Sequence, residues 1–234
     1  MTNQTSPKLE PKTIIAIVFY ILYTPIVLFL TSGHINWPMA WIYTVVALLF
    51  SIGGRLLMAR KHPDLVAERA KFRDAEGVKG WDRKIVPWIA QILPFFVLII
   101  AGFDQRWKWS PEVPLIGALI SMGVALVGLT FSNWAIIENR FFSSVVRIQT
   151  DRGHTVCNTG PYKYVRHPGY AGGLVWMVLT PVMLQSLWAF IPTALIVALT
   201  VLRTALEDKT LQAELPGYRA YSKETRYRLV PGIW

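Results

Sequence analysis

Six stretches of the chain are apolar enough, over enough residues, to read as membrane-spanning helices: residues 13–32, 38–58, 85–103, 114–137, 170–187 and 188–202. In a bilayer core no water can satisfy backbone N–H and C=O groups, so a spanning segment must pair its own, and a helix of about 20 apolar residues does so. The last two stretches are short, nearly contiguous and carry Pro181 and Pro192. They read as a helical hairpin turning near residues 185–186, or as one long, broken element. Between the apolar runs lie two long polar loops, 59–84 and 138–168, and the tail 204–234 is too polar to span. Residues 63–72 place Leu65, Val66, Ala70 and Phe72 among charges, the pattern of an amphipathic helix on a membrane surface; a solvated loop is the other reading. The polar first twelve residues run directly into the first apolar stretch, which predicts a retained span rather than a cleaved signal. The expected fold is all-α, a polytopic transmembrane helical bundle of about six spans.

Composition agrees with lipid as the solvent. Over 234 residues, 53% are hydrophobic and 16% charged, and the mean hydropathy is +0.38. The net charge of +10 would suggest nucleic-acid binding in a soluble chain, but its placement argues otherwise. Of the 24 Lys and Arg residues, 22 fall before the first stretch, in the two long loops and their flanks, or in the tail; only Arg106 and Lys108 fall elsewhere. Cytoplasmic loops hold such an excess. The pattern predicts six spans with both termini cytoplasmic and leaves no basic patch for a nucleic acid. Trp37, Trp41, Trp107, Trp109 and Trp188 lie near proposed span ends, where indoles anchor at the interface. Cys157 is the single cysteine, so neither an intramolecular disulfide nor a thiolate cluster is available.

The densest chemical signal precedes the fifth stretch: Gly160-Pro-Tyr-Lys-Tyr-Val-Arg-His-Pro-Gly-Tyr-Ala-Gly-Gly173. Pro168 disfavours helix at His167 and suits the first helical position, which holds His167 at a helix entry with free N–H groups. Such an entry attracts carboxylates and phosphates. Gly172 and Gly173 would let a flat ligand or a neighbouring helix come close. From the residues alone, the segment reads equally well as a re-entry loop whose Arg166 meets lipid headgroups and whose glycines pack helices. A second cluster closes the sixth stretch, where Arg203, Glu207 and Leu211 recur at a spacing of four and share a helix face. An Arg–Glu pair there could grip a ligand bearing both charges, or be a plain ion pair. The tail carries Tyr218, Tyr221, Tyr227 and Arg228 and ends Pro231-Gly-Ile-Trp234, the look of a segment folding back on the bundle. His34, His62, His154 and His167 show no metal-binding spacing, and neither a P-loop nor a dinucleotide-binding glycine motif is present. In the fourth stretch Gly117, Gly123 and Gly128 could pack helices within one chain or between chains, which leaves the oligomeric state open.

Residues 160–172, followed by Glu207-Asp208 and then by Tyr218 and Tyr221, resemble the isoprenylcysteine carboxyl methyltransferase family, which is related to integral-membrane phospholipid N-methyltransferases. The resemblance covers roughly 130–234 and is weaker in the first half, where residues 63–69 and Trp81-Asp82 also look like bacterial members. It implies two regions, N-terminal transmembrane helices and an amphipathic loop in 1–129 and a methyltransferase core in 130–234. It also implies S-adenosylmethionine bound from the cytosolic side and a lipophilic acceptor admitted from the bilayer. By that resemblance Tyr162, Arg166, His167, Pro168, Tyr170, Gly172 and Glu207 would hold the cofactor, Arg203 and Glu207 would act at the reacting methyl, and Tyr218 and Tyr221 would meet the substrate. No metal is implied. Tyr164 is a further aromatic candidate beside the sulfonium. The tail's likeness to bacterial members implies a bacterial inner membrane. An NADPH-dependent sterol-type reductase, with a related Arg-His-Pro-x-Tyr region, and a small transporter or scaffold are the alternative readings.

Overall fold

The computed structural model describes residues 11–70 and 75–234, with side chains from residue 21 onward except that of Ala70. Phe72 lies outside the described residues, as do Lys8, Lys71 and Arg73 among the basic residues counted above and the side chain of Lys12. Among the described residues the chain is helical, without a strand. α1 (Pro11–Ser32), α2 (Pro38–Lys61) and the short α3 (Pro63–Ala70) are followed by α4 (Gly80–Pro87), a wide π turn (Trp88–Ile92) and α5 (Leu93–Trp107). Then come α6 (Leu115–Glu138), α7 (Pro168–Met183), α8 (Phe190–Glu214) and α9 (Tyr218–Glu224).

Local chemistry explains the boundaries. Pro38 and Pro168 open α2 and α7, where the missing N–H would have had no intrahelical partner. Pro87 and Pro94 flank the π turn, and each removes an amide that would have bonded four residues back, so the helix widens between them without breaking. α4, the turn and α5 therefore form one helical run, Gly80–Trp107, which contains the expected span 85–103.

The late stretches resolve into a hairpin. Pro181 sits inside α7, and the chain turns at Gln185, which takes a left-handed conformation with φ of 55°. Ser186 N–H donates to Pro181 O at 2.8 Å. The turn is clamped to α5 by the buried Asp104, which accepts hydrogen bonds from Ser186 Oγ (2.5 Å), from Ser110 N (2.7 Å) and from the Ser110 hydroxyl. α8 then runs past residue 202 to Glu214 and carries Arg203, Glu207 and Asp208 beyond the apolar part.

Among the described residues four helical runs are long and apolar enough to cross a membrane: Pro38–Lys61, Gly80–Trp107, Leu115–Glu138 and Phe190–Glu214. α7 has 16 residues, a length of about 24 Å at 1.5 Å per residue, less than a hydrocarbon core of about 30 Å. Leu49, Leu56, Ile116, Ile120, Val127 and Leu195 are exposed on the long helices, an oily outer surface that water would not tolerate at this extent. The interior is packed by Leu28, Trp37, Val97, Met122, Trp176 and Ile196, drawn from six different stretches of the chain.

The closest helix pair is α6 with α7, and glycine makes it possible. A Cβ on Gly172 would stand 2.3 Å from Gly128 O, and one on Gly128 would stand 2.7 Å from Val175 Cβ. Gly172 is thus committed to helix packing; Gly173 faces open space, and so do Gly117 and Gly123. α3 packs on α2 with Leu65 and Glu68 buried and Val66 exposed.

The Gly172 contact fixes the register of α6 against α7, so Gly172→Ala should cost about 1–3 kcal/mol through overpacking. Unfolding of the detergent-solubilised protein would show it as a lower midpoint, whereas Gly173→Ala should leave the midpoint nearly unchanged.

Candidate active site

The site is built where the 139–167 loop, the last turns of α8, α9 and the tail converge. Asp208 is its node. Its side chain is fully buried, and a buried carboxylate is tolerated only when its lone pairs and charge are matched. Arg166 grips it in a two-pronged contact, Nε to Oδ1 at 2.7 Å and Nη2 to Oδ2 at 3.0 Å. Arg228 Nε (3.0 Å), Tyr218 OH (3.0 Å) and Gln212 Nε2 (2.8 Å) donate to it as well.

The same arginine fixes the tail. Arg166 Nη1 donates to Thr225 O at 2.9 Å and to Arg226 O at 2.6 Å. The backbone completes the seam: Arg166 N–H donates to Tyr227 O and His167 N–H to Arg228 O, both at 2.9 Å. Tyr221 OH donates to Tyr162 O at 2.7 Å, which ties α9 to the loop. Burial pushes the Tyr162, Tyr218 and Tyr221 phenols up, helped at Tyr218 by the neighbouring Asp208 carboxylate, so all three remain protonated donors.

Over this node opens a cleft of about 740 Å³, counting its mouth. His167, Tyr170 and Glu207 line one side, and Tyr162, Tyr218 and Tyr221 line another. The 139–157 loop supplies the rest, including Asn139, Phe141, Phe142 and His154. Tyr170 OH donates to Glu207 Oε2 at 2.6 Å, and the His167 and Tyr170 rings stack at 5.8 Å with an interplanar angle of 1°. His167 Nε2 is buried and makes no hydrogen bond, standing 3.5 Å from Asp208 Oδ1 in a geometry unsuited to one.

Arg203 stands behind Tyr170, its guanidinium 5.1 Å from the ring centroid. Its partner is not Glu207, one helical turn away, but Asp82 of α4: Nε to Oδ1 at 2.7 Å and Nη2 to Oδ2 at 3.3 Å. Asp82 is fully buried and also accepts Val146 N–H at 2.7 Å, so it anchors both α8 and the loop. Glu207 keeps its carboxylate toward the cleft.

The loop itself is braced from inside. Gln149 Nε2 donates to Phe141 O at 2.7 Å, Arg147 pairs with the buried Glu68 at 2.7 Å, and Phe142 packs where a Cβ on Gly169 would fall 2.5 Å from its ring. His154 Nδ1 accepts Gln149 N–H at 3.3 Å while its ring lies 4.7 Å from Phe141. Burial, then the charges of Arg147 and Arg152, lower His154 to a pKa of about 4, so it is neutral near pH 7.

Of the residues singled out in the sequence, Tyr162, Arg166, His167, Tyr170, Glu207, Tyr218 and Tyr221 meet on this cleft. Pro168 is buried as the first residue of α7, Gly172 faces α6, and Tyr164 is 61% exposed outside the cleft. Sequence reasoning missed the linking role of Asp208, the Asp82–Arg203 pair and the aromatic contribution of Phe141 and Phe142. The one available signal was Trp81-Asp82, already noted as a likeness, whose partner could not be read.

Comparison with known proteins bears on this region. Residues 119–213 match the isoprenylcysteine carboxyl methyltransferase (ICMT) family. Protein-S-isoprenylcysteine O-methyltransferase A of Arabidopsis thaliana is 33% identical over 89 residues, 38% of this chain and 41% of that protein. Protein-S-isoprenylcysteine O-methyltransferase B of the same plant is 30% identical over 114 residues, 48% of this chain and 51% of that protein. A probable protein-S-isoprenylcysteine O-methyltransferase of Oryza sativa subsp. indica is 35% identical over 66 residues, 28% of this chain and 35% of that protein. The chain thus spans about a third to a half of the length of the curated relatives it matches. Helix length and composition suggest a membrane protein of helical type. It is ICMT-like from α6 to α8, the region that carries Arg166, His167, Tyr170, Arg203, Glu207 and Asp208.

Two outcomes follow from the node and the loop. Asp208→Ala strands the buried Arg166, so it should destabilise the protein by about 3–5 kcal/mol, read as a lower denaturation midpoint. For His154 the folded pKa lies below the ordinary value of 6.5, so its contribution to stability is complete above about 6.5 and is lost as the pH falls through about 4. A pH series of thermal midpoints should therefore fall more steeply across that window in the native protein than in His154→Gln.

Proposed function

We propose that the protein transfers a methyl group from S-adenosylmethionine to a lipophilic, membrane-embedded acceptor, isoprenylcysteine-like or another lipid carboxylate, thiol or amine. The observation that carries this reading is the cleft in which Glu207, Tyr170 and His167 meet within the family-matched region.

The residues present suit the cofactor. The amino-acid end of S-adenosylmethionine bears a carboxylate and an ammonium. Glu207 offers a carboxylate for the ammonium, and the buried, unsatisfied His167 Nε2 stands at the entry of α7, where free N–H groups favour an anion. Tyr162, Phe141 and Phe142 offer aromatic faces for a flat, cationic ligand.

S-adenosylmethionine supplies a sulfonium methyl that needs no electrophilic activation. The protein's work is therefore alignment and the exclusion of water. Tyr170, gripped between Arg203 and Glu207, holds the Glu207 carboxylate in one orientation. Arg203, on the far side of Tyr170, would orient the acceptor's reacting group. Tyr218 and Tyr221 close the opposite wall, with hydroxyls committed to Asp208 and to the loop rather than to a proton transfer.

In this reading the chain has six spans, with the cleft and both termini at the cytoplasmic face of a bacterial inner membrane. The charge asymmetry of 22 basic residues to 2 supports that orientation. Residues 130–234 form the methyltransferase core, and 1–129 contribute the membrane helices and, through Asp82 and Glu68, braces for the core.

Calorimetric titration of the detergent-solubilised protein should show binding of S-adenosylmethionine and S-adenosylhomocysteine but not of NADPH. Glu207→Ala should weaken both by tenfold or more, and His167→Ala by about fivefold. Unchanged affinity in both variants would remove the site assignment, and binding of NADPH alone would replace methyl transfer with reduction.

A further inference from the structure

The tail carries an outward-facing turn just after its seam with the loop before α7. Val230-Pro231-Gly232-Ile233 has proline at its second position and glycine at its third. The Ile233 N–H donates to Val230 O at 3.1 Å, and Gly232 takes the positive φ of 81° that a turn of this kind requires. Leu229, before the turn, is buried, but Val230 is exposed and Ile233 is 82% exposed. Tyr227 is exposed on the same segment, and so is Tyr164, two residues before Arg166. Apolar side chains are thus presented outward by a segment whose other side is pinned to the site.

The helices set the depth of this segment. Tyr227 and Arg228 accept the N–H groups of Arg166 and His167, and Arg166 and Arg228 both reach Asp208 of α8. Asp208 lies roughly 27 Å along α8 from Phe190, its first residue. A hydrocarbon layer is about 30 Å thick. In a bilayer crossed by α8, the tail therefore stands at the depth where acyl chains give way to headgroups, and apolar side chains exposed at that depth meet lipid.

The charges around the turn match an anionic surface. Lys163, Arg219, Lys223 and Arg226 are exposed, and Glu224 is the one acid among residues 215–234. Arg228 is turned inward, to Asp208 and to the face of the Trp234 ring at 4.9 Å, so the outward charge is carried by the others. Basic residues beside exposed tyrosines and aliphatic tips are the composition of an interfacial anchor.

We propose that residues 226–234 seat on an anionic phospholipid surface, with Val230 and Ile233 in the acyl boundary, Tyr164 and Tyr227 at headgroup level, and Arg226 and Lys163 on the phosphates. The membrane then holds from outside the seam that Asp208 holds from within. This seat shares with the proposed function only the crossing of the bilayer by α8; it needs neither S-adenosylmethionine nor an acceptor.

Site-directed photo-crosslinking in nanodiscs tests the seat. The photoreactive residue p-benzoylphenylalanine is placed singly at Ile233, at Leu195, exposed on the apolar part of α8, and at Ala213, exposed on α8 beyond Asp208. Each protein is irradiated in phosphatidylcholine with and without phosphatidylglycerol, and the adducts are identified by mass spectrometry. With phosphatidylglycerol present, lipid adducts at Ile233 should approach those at Leu195 and exceed those at Ala213 fivefold or more. Arg226→Gln, or phosphatidylcholine alone, should lower the Ile233 adducts severalfold and leave those at Leu195 unchanged. Three results would overturn the seat while Leu195 still labels: Ile233 adducts at the Ala213 level, adducts to this chain or to a second copy in place of lipid, or labelling indifferent to lipid charge and to Arg226. An unlabelled Leu195 would remove the α8 span, and the seat with it. The S-adenosylmethionine titration bears on none of these outcomes.

Discussion

The buried carboxylate of Asp208 is the constraint on which the cleft end of the molecule depends. A charge removed from water must be matched on every side, and here the match comes from Arg166 before α7, Gln212 on α8, Tyr218 on α9 and Arg228 in the tail. The loop before α7 is thereby obliged to meet α8, α9 and the tail at one point. His167 and Tyr170 are positioned as a by-product, because they follow directly on the arginine that makes the principal contact. Glu207, the preceding residue on α8, is turned to the cleft by the same helix geometry that turns Asp208 to the node.

A layer deeper, Asp82 does for the membrane helices what Asp208 does for the tail. It joins α4 to α8 through Arg203 and to the loop through Val146, and so transmits the position of those helices to the cleft. Around the two acids, neighbouring side chains have divided roles. Arg166 and Arg203 are held by the carboxylates of Asp208 and Asp82, whereas Glu207 keeps its carboxylate toward the cleft, oriented by the Tyr170 hydroxyl.

Much of the architecture was legible from the sequence because lipid imposes a simple rule. Stretches 38–58, 85–103 and 114–137 lie within the long helices, and the hairpin at 185–186 turns at Gln185. What sequence could not supply was partnership. The spacing of Arg203 and Glu207 suggested that they face one another, but the guanidinium reaches across to a helix more than a hundred residues earlier, since Asp82 is fully buried and has the greater need of a cation. Gly172 stood in a ligand-like motif, yet its lack of a side chain serves the approach of α6. Phe141 and Phe142 gave no signal, because an aromatic in a polar loop reads the same whether it lines a cleft or only covers one.

The seam between residues 166–167 and 227–228 also sets an order of events. Helices α1, α2 and α5 can pair as soon as they enter the membrane, since α1 packs on both of the others. The cleft cannot close until the segment bearing Arg228 has left the ribosome, because the N–H groups of Arg166 and His167 find their backbone acceptors in Tyr227 and Arg228. A nascent chain therefore passes through an interval in which the early helices are paired and the cleft is still open, and a truncation within the last ten residues would leave helices packed together but without a finished cleft.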